Sequence, residues 1–77
     1  MMVKFKLISK DGNVYHYEYY PEGKLENKGV FKFDVKNLEL LYHKETSNKT
    51  FNYFLKVISH LKDENDEFKQ SGMIAWA

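Results

Sequence analysis

The feature that most constrains this chain is the run VYHYEYY at residues 14–20. Successive side chains of a β-strand point to opposite faces, so one face of such a strand carries three tyrosine rings, Tyr15, Tyr17 and Tyr19. Rings of this size contribute a large buried area in a small protein. The run therefore predicts a β-strand whose tyrosine face lies against a hydrophobic core, with Tyr20 on the opposite face.

The preceding run, VKFKLIS at residues 3–9, has the same period of two, with lysines on one face and apolar residues on the other. The intervening KDG predicts a hairpin whose three-residue loop places Gly12 in the left-handed conformation. A two-residue turn at Asp11 and Gly12 would instead set apolar residues against Glu18, and the hydrophobic pattern disfavours that register. The predicted cross-strand pairs are Leu7 with Tyr15, Phe5 with Tyr17, and Val3 with Tyr19.

A second hairpin is predicted from VFKFDV at residues 30–35 and LELLYH at residues 38–43. A four-residue loop at 34–37 pairs Phe33 with Leu38 and Phe31 with Leu40, with Asn37 in the left-handed position. On this register the second strand of the hairpin turns Leu38, Leu40 and Tyr42 toward the core.

A helix is predicted over residues 48–63, with Ser47 as its N-cap. The apolar residues there recur at helical spacing and form one stripe: Phe51, Phe54, Leu55, Ile58 and Leu61. The acidic run DENDE at 63–67 is unfavourable at a helix C-terminus and predicts a loop, although Phe68 continues the stripe and leaves a helix as far as residue 70 as the alternative. The ending GMIAWA predicts a short strand that extends the sheet or fastens the helix to it.

These elements predict an α+β protein. We expect a mostly antiparallel four-stranded sheet of two hairpins, one helix packed on one face, and a short C-terminal strand. The length of 77 residues predicts a single domain over residues 1–77.

The composition limits the classes of function. The chain has no cysteine, so disulfides, thiolate zinc sites and cysteine nucleophiles are excluded. The net charge is +1 and all twelve basic residues are lysine, which weakens any proposal of phosphate or base recognition because arginine supplies the planar fork for it. The N-terminus alternates polar and apolar residues, and no apolar run approaches a membrane span of about 20 residues. We therefore expect a cytoplasmic protein without membrane association.

Polar residues on the predicted outward faces form no recognisable chemical motif. His16, Glu18, Glu39 and His43 are metal-ligand types without metal-site spacing, so solvated sheet residues are the preferred interpretation. The sequence places no set of nucleophile and orienting carboxylate around His60, so a surface helix residue is the preferred interpretation. No glycine loop of the phosphate-binding kind is present, and residues 63–67 lack the ligand pattern of a calcium loop. We predict no enzyme, no cofactor and no metal site.

Two functions remain. The first is a small protein-interaction module that binds a protein partner or forms a homodimer, with Ile8, Tyr20 and Leu41 as the predicted contact surface outside the core. The alternative is single-stranded nucleic-acid binding through sheet aromatics and the lysines Lys4, Lys6 and Lys32. The predicted register places the lysines opposite most of the rings, which favours the first.

The segments YYPEGK at residues 19–24 and GMIAWA at residues 72–77 resemble those of small bacterial proteins that carry domains of unknown function. The resemblance covers most of the chain. It implies a bacterial, cytoplasmic origin and no catalytic activity, and it transfers no functional residue to this sequence.

Overall fold

The computed structural model describes residues 1–45 and 50–77. Its strands are β1 (Met2–Asp11), β2 (Val14–Pro21), β3 (Gly29–Asp34), β4 (Glu39–Lys44) and β5 (Ser71–Ala75), with a helix α1 (Phe51–Ser59) and a 3₁₀ turn at Leu25–Asn27. The strands form one antiparallel sheet in the order β4-β3-β2-β1-β5, and α1 packs against it. The predicted α+β class is confirmed, with the C-terminal strand as the fifth strand of the sheet. Within the described residues, no helix has the length and apolar character needed to cross a membrane.

The first hairpin contains a β-bulge that the sequence pattern did not predict. Its two-residue loop is Gly12 and Asn13, with Gly12 at φ +60°, as short hairpins require. Ile8 is an extra residue between the pairs Leu7–Tyr17 and Ser9–His16. The predicted pairs are therefore wrong by two residues, but a shift of two keeps Val3, Phe5, Leu7 and the odd-numbered tyrosines on their predicted face. The bulge is what reconciles the short turn with the buried tyrosine face.

The second hairpin also contains a bulge, and here it inverts part of the prediction. Leu41 is an extra residue between the pairs Lys32–Tyr42 and Phe33–Leu40. Tyr42 consequently faces away from the core, and His43, opposite Phe31, takes the inward position. The prediction that Tyr42 faces inward and His43 outward is wrong because the bulge shifts the alternation by one residue.

The loop of this hairpin comprises residues 35–38, and Leu38 rather than Asn37 adopts positive φ, at +55°. Asn37 has a different task. Its backbone N–H and its side-chain amide both donate to the carboxylate of Asp34, at 3.0 and 2.9 Å. The side chain of Asp34 thus closes the turn, and the left-handed residue falls one position later.

The core is a cluster of aromatic rings from β2, β3 and α1. Tyr17 and Phe31 stack with ring centroids 5.1 Å apart, and Phe54 of the helix meets Phe31 edge-on at 5.4 Å. Tyr17 and Tyr19 are fully buried, and Tyr15 is half-buried against the same cluster. The prediction that the odd-numbered tyrosines face the core is confirmed. The buried set is Val3, Phe5, Tyr17, Tyr19, Phe31, Phe54, Val57 and Leu61.

The helix is shorter than predicted, and its buried face is rotated. It ends at Ser59. Val57, which the predicted stripe did not include, is buried, whereas Phe51 and Leu55 of that stripe are exposed. The acidic run forms a loop, as predicted, because an Asp63 carboxylate oxygen accepts the backbone N–H groups of residues 65 and 67. The alternative of a helix as far as residue 70 is therefore wrong. The predicted N-cap Ser47 lies outside the described residues.

The C-terminal segment both extends the sheet and fastens the helix, so the two roles predicted as alternatives occur together. Ile74 pairs with Val3, and Trp76 contacts the ring of Tyr53 on α1 at 5.5 Å. Gly72 lies opposite Phe5, where a Cβ would come within 2.7 Å of the ring. This strand places β1 in the interior of the sheet and leaves β4 and β5 as its two edges.

Candidate functional site

The outer edge of β4 carries an unusual amount of exposed apolar surface. Among the described residues, β4 pairs with β3 alone. The exposed fractions of the four large apolar side chains in and before this strand are 58% for Leu38, 42% for Leu40, 48% for Leu41 and 47% for Tyr42. Exposed edge strands pair readily with other chains, and proteins usually protect them with charges or short lengths. The β4 edge, defined as residues 38–44, is therefore the principal candidate for a contact surface.

The exposure of the β4 edge follows from the position of the helix. The helix lies mainly over β1 and β2, and its Phe54 ring reaches across the core as far as His43. Leu40 faces the helix side of the sheet beside Phe33 and is 42% exposed there. The bulge at Leu41 adds one more apolar side chain to the same edge.

The face of the sheet opposite the helix, called the outer face below, is polar and rich in lysine. Lys32 lies beside Tyr42, with its Nζ 5.9 Å from the ring centroid, in the range of a cation–π contact. The even-numbered positions of β2, of β3 and of β1 before its bulge point outward, as does Tyr42. The members of the outer face that matter here are Lys4, Lys6, His16, Glu18, Tyr20, Val30, Lys32, Tyr42 and Lys44.

Glu18 binds two neighbouring side chains at the outer face. It accepts a hydrogen bond from the Tyr20 hydroxyl at 2.5 Å and lies 3.5 Å from Lys28 Nζ. The hydrogen bond from Tyr20, with help from Lys28, lowers the pKa of Glu18. Partial burial, together with Glu18, raises the pKa of Tyr20 to about 12. Tyr20 thus has an intramolecular partner and is less available for stacking than Tyr42.

A polar cluster lies on the opposite, inner face, next to the start of the helix. The Tyr19 hydroxyl and Nε2 of His43 are 2.7 Å apart, and the imidazole stacks on Phe54 with centroids 3.7 Å apart. Burial lowers the pKa of His43, which Glu45 partly offsets, and burial also raises the pKa of Tyr19. Thr50 is buried beside this cluster and interacts with Tyr19. The packed, hydrogen-bonded imidazole ties β4 to the core at this point.

The four residues considered as metal ligands are not brought together. His16 and Glu18 lie on the outer face, and His43 points to the inner one. Glu39 lies at the far end of β4 beside Asp34. Within residues 1–45 and 50–77, no group of three or more histidine and acidic side chains is arranged to hold a metal ion.

His60 lies exposed at the end of the helix. Its Nδ1 contacts the Ser59 hydroxyl and the carbonyl oxygen of Lys56, both at 3.0 Å. These partners hold the ring at the helix terminus, and within the described part of the chain no carboxylate is bonded to it. The geometry is that of a helix end.

The predicted contact residues Ile8, Tyr20 and Leu41 occupy separate places. Ile8 is the bulge residue of β1 and Leu41 the bulge residue of β4, so three strand spacings, about 14 Å, separate them. Tyr20 lies on β2 beside Lys4 and is engaged by Glu18. Leu41 alone belongs to the β4 edge. The sequence pattern did not predict Leu38, Leu40 and Tyr42 there. The bulge turns Tyr42 outward, whereas Leu40 keeps its predicted face and is exposed because the helix lies mainly over β1 and β2. Leu38 lies in the turn before the strand.

A groove lies between the helix and the C-terminal segment. It has a volume of about 810 Å³ and is lined largely by Tyr53, Leu55, Ile58 and Trp76. The Tyr53 hydroxyl donates to Glu22, which raises the pKa of Tyr53. The described residues that line this groove include no acid–base pair converging on a common point.

Comparison of the chain with protein-family models, with curated proteins and with solved structures found no match.

Proposed function

We propose that this protein is a small cytoplasmic interaction module, without catalytic activity, that binds an extended polypeptide segment as an additional strand along β4. The observation that carries the proposal is the apolar β4 edge, where four large side chains are exposed beside backbone groups that face away from β3. Backbone hydrogen bonds supply affinity in this mode of recognition, and pockets for alternate side chains supply specificity.

The side chains of the β4 edge lie on both faces of the sheet, which suits an added strand. Leu40 points to the helix side with Phe33, and Tyr42 to the outer face with Lys32. An added strand therefore meets apolar side chains above and below its backbone. Of the three contact residues predicted from sequence, Leu41 takes part in this surface.

The proposal is tested by selecting displayed random peptides of about eight residues, a usual strand length, on the immobilised full chain. Binding of a selected peptide is then measured by fluorescence anisotropy. We expect Leu41→Lys to weaken binding about tenfold or more, since a lysine on an edge opposes strand pairing. The matched control is Met73→Lys on β5, the opposite edge, which should leave binding unchanged. A selection that yields no peptide, or peptides that bind both variants equally, contradicts the proposal.

A second candidate function, single-stranded nucleic-acid binding, is supported by the outer face. Lys32 and the exposed Tyr42 share this face, whereas the unbulged register had placed that ring inside. Lysine and an exposed ring on one side are what a stacking platform requires. The absence of arginine and the engagement of Tyr20 by Glu18 make this the weaker proposal.

The second candidate is tested by anisotropy of a labelled oligouridylate at low and at moderate salt. Binding through phosphates weakens steeply as salt rises. Tyr42→Ala and Lys32→Ala should each reduce it, and Lys62→Ala, which lies off the sheet, should not. Absence of binding at low salt rejects the nucleic-acid function.

A further inference from the structure

The two charged ends of β4 share one face of the sheet because of the bulge. Glu39 pairs with Asp34 and Lys44 pairs with Val30. Asp34 and Val30 are an even number of residues apart in β3 and so point to the same face. Glu39 and Lys44 are an odd number apart, and a regular strand would place them on opposite faces. The extra residue Leu41 brings both to the outer face.

Both charges lack an ion-pair partner among the residues that the structure describes. Glu39 instead lies directly opposite the like-charged Asp34. Like charges opposite each other in a sheet are destabilising. A cation brought to the free side of Glu39 would offset this repulsion, and a carboxylate brought to Lys44 would complete a second pair.

We propose that the strand bound by β4 is the β4 of a second copy of this chain. The proposal rests on the proposed function and names its partner. A two-fold axis normal to the sheet pairs the strands antiparallel, and opposite residues must then share a face. Because of the bulge, the segment ELLYHK satisfies this condition when it pairs with itself about its centre. The resulting pairs are Glu39 with Lys44, Leu40 with His43, and Leu41 with Tyr42, each made twice.

This self-pairing removes two unfavourable features of the edge, its exposed apolar side chains and its end charges, unpaired among the described residues. It covers the exposed side chains of Leu40, Leu41 and Tyr42 and gives each end charge a partner of opposite sign. The contact is isologous and therefore closed, which yields a dimer with a continuous ten-stranded sheet, five strands from each copy. An unrelated peptide would carry charges complementary to Glu39 and Lys44 only by chance.

The test is sedimentation equilibrium of the full chain from about 1 µM to about 1 mM, which spans the weaker range of protein association. We expect a monomer–dimer equilibrium. Glu39→Lys and Lys44→Glu each replace two attractive pairs by two repulsive ones and should weaken dimerisation about tenfold or more. The double variant Glu39→Lys/Lys44→Glu should restore it. An equimolar mixture of the two single variants should form heterodimers, because both cross-strand pairs are then attractive.

The mixture also serves as the folding control, since two variants that dimerise together are both folded. A wild-type chain that stays monomeric over the whole concentration range overturns the homodimer. It would mean that the bulge prevents this edge from pairing with a second copy. Dimerisation that is indifferent to the charge reversals overturns the β4 pairing. Peptide binding that Leu41→Lys abolishes would survive either result, so failure of the dimer is distinguishable from failure of the proposed function.

Discussion

The phenolic oxygen of Tyr19 lies 2.7 Å from Nε2 of His43, a hydrogen bond that joins β2 to β4 across the intervening strand β3. The ring of Tyr19 passes over Gly29, its partner on β3, to reach the imidazole. Phe54 of the helix stacks on that imidazole. Three strands and the helix are thus fixed at one point of the inner face.

The first prediction concerns pH. Burial lowers the pKa of His43 below its unfolded value of about 6.5. As pH falls below about 6.5, the unfolded chain therefore binds more protons than the folded one, and the free energy of unfolding decreases. This group contributes a slope of at most about 1.4 kcal/mol per pH unit. Urea unfolding at pH values from about 8 to about 5 measures this slope on both sides of the reference pKa of about 6.5.

His43→Gln isolates this contribution. The variant should be less stable than wild type at neutral pH, where the imidazole packs on Phe54, and its stability should depend less on pH between neutral and mildly acidic conditions. His60→Gln at the exposed helix end is the matched control and should retain the wild-type slope. A His43→Gln slope equal to that of wild type would show that His43 is not the titrating group.

The second prediction compares two tyrosines of β2. Tyr17 is fully buried, stacks on Phe31, and donates its hydroxyl to the carbonyl oxygen of Lys69 at 2.7 Å. Truncation of such a ring costs about 3–5 kcal/mol, so Tyr17→Ala should unfold much of the population at room temperature. Tyr20→Ala on the outer face removes chiefly the hydrogen bond to Glu18 and should cost about 1 kcal/mol. Equal losses in thermal denaturation would contradict the register of β2.

The third prediction concerns the C-terminal strand. Removal of residues 72–77 exposes β1 as a sheet edge and deprives Val3 and Tyr53 of Ile74 and Trp76. Loss of two large apolar side chains from a domain of this size should lower the melting temperature by about 10 °C or more. Differential scanning calorimetry of the truncated chain measures the change. An unchanged melting curve would mean that β5 adds no stability to the sheet.

The faces of the strands were largely predictable and the registers were not, for a physical reason. Period-two alternation placed Val3, Phe5, Tyr17 and Tyr19 correctly on the buried face. Alternation does not reveal a bulge, since a single added residue leaves the pattern on each side intact. In the first hairpin the bulge accompanies a two-residue shift of the register, so the buried residues of β1 and β2 keep their predicted face. In the second it moved His43 inward.

The candidate site depended on the same inversion only in part. An unbulged strand turns Tyr42 to the core, but Leu40 faces the helix side of the sheet with or without the bulge. Leu40 is exposed because α1 lies mainly over β1 and β2, and the sequence does not reveal that position of the helix. The structure places the polar His43 opposite Phe31, on the inner face. The sequence alone gives no sign of this, because a histidine suits an outward position equally well. The bonding partner Tyr19 lies two strands away in the sheet, and such a contact is visible in the tertiary structure alone.

The last prediction returns to Gly29. A Cβ at this position would overlap the ring atoms of Tyr19, so Gly29→Ala forces the ring away and breaks its bond to His43. Overpacking of this kind costs about 1–3 kcal/mol, and loss of the buried hydrogen bond adds to it. A double-mutant cycle by urea unfolding checks the cause: in a Tyr19→Leu background, where no ring crosses Gly29, the same substitution should cost much less. If Gly29→Ala costs the same in both backgrounds, the close approach of Tyr19 is not the reason that glycine is required there.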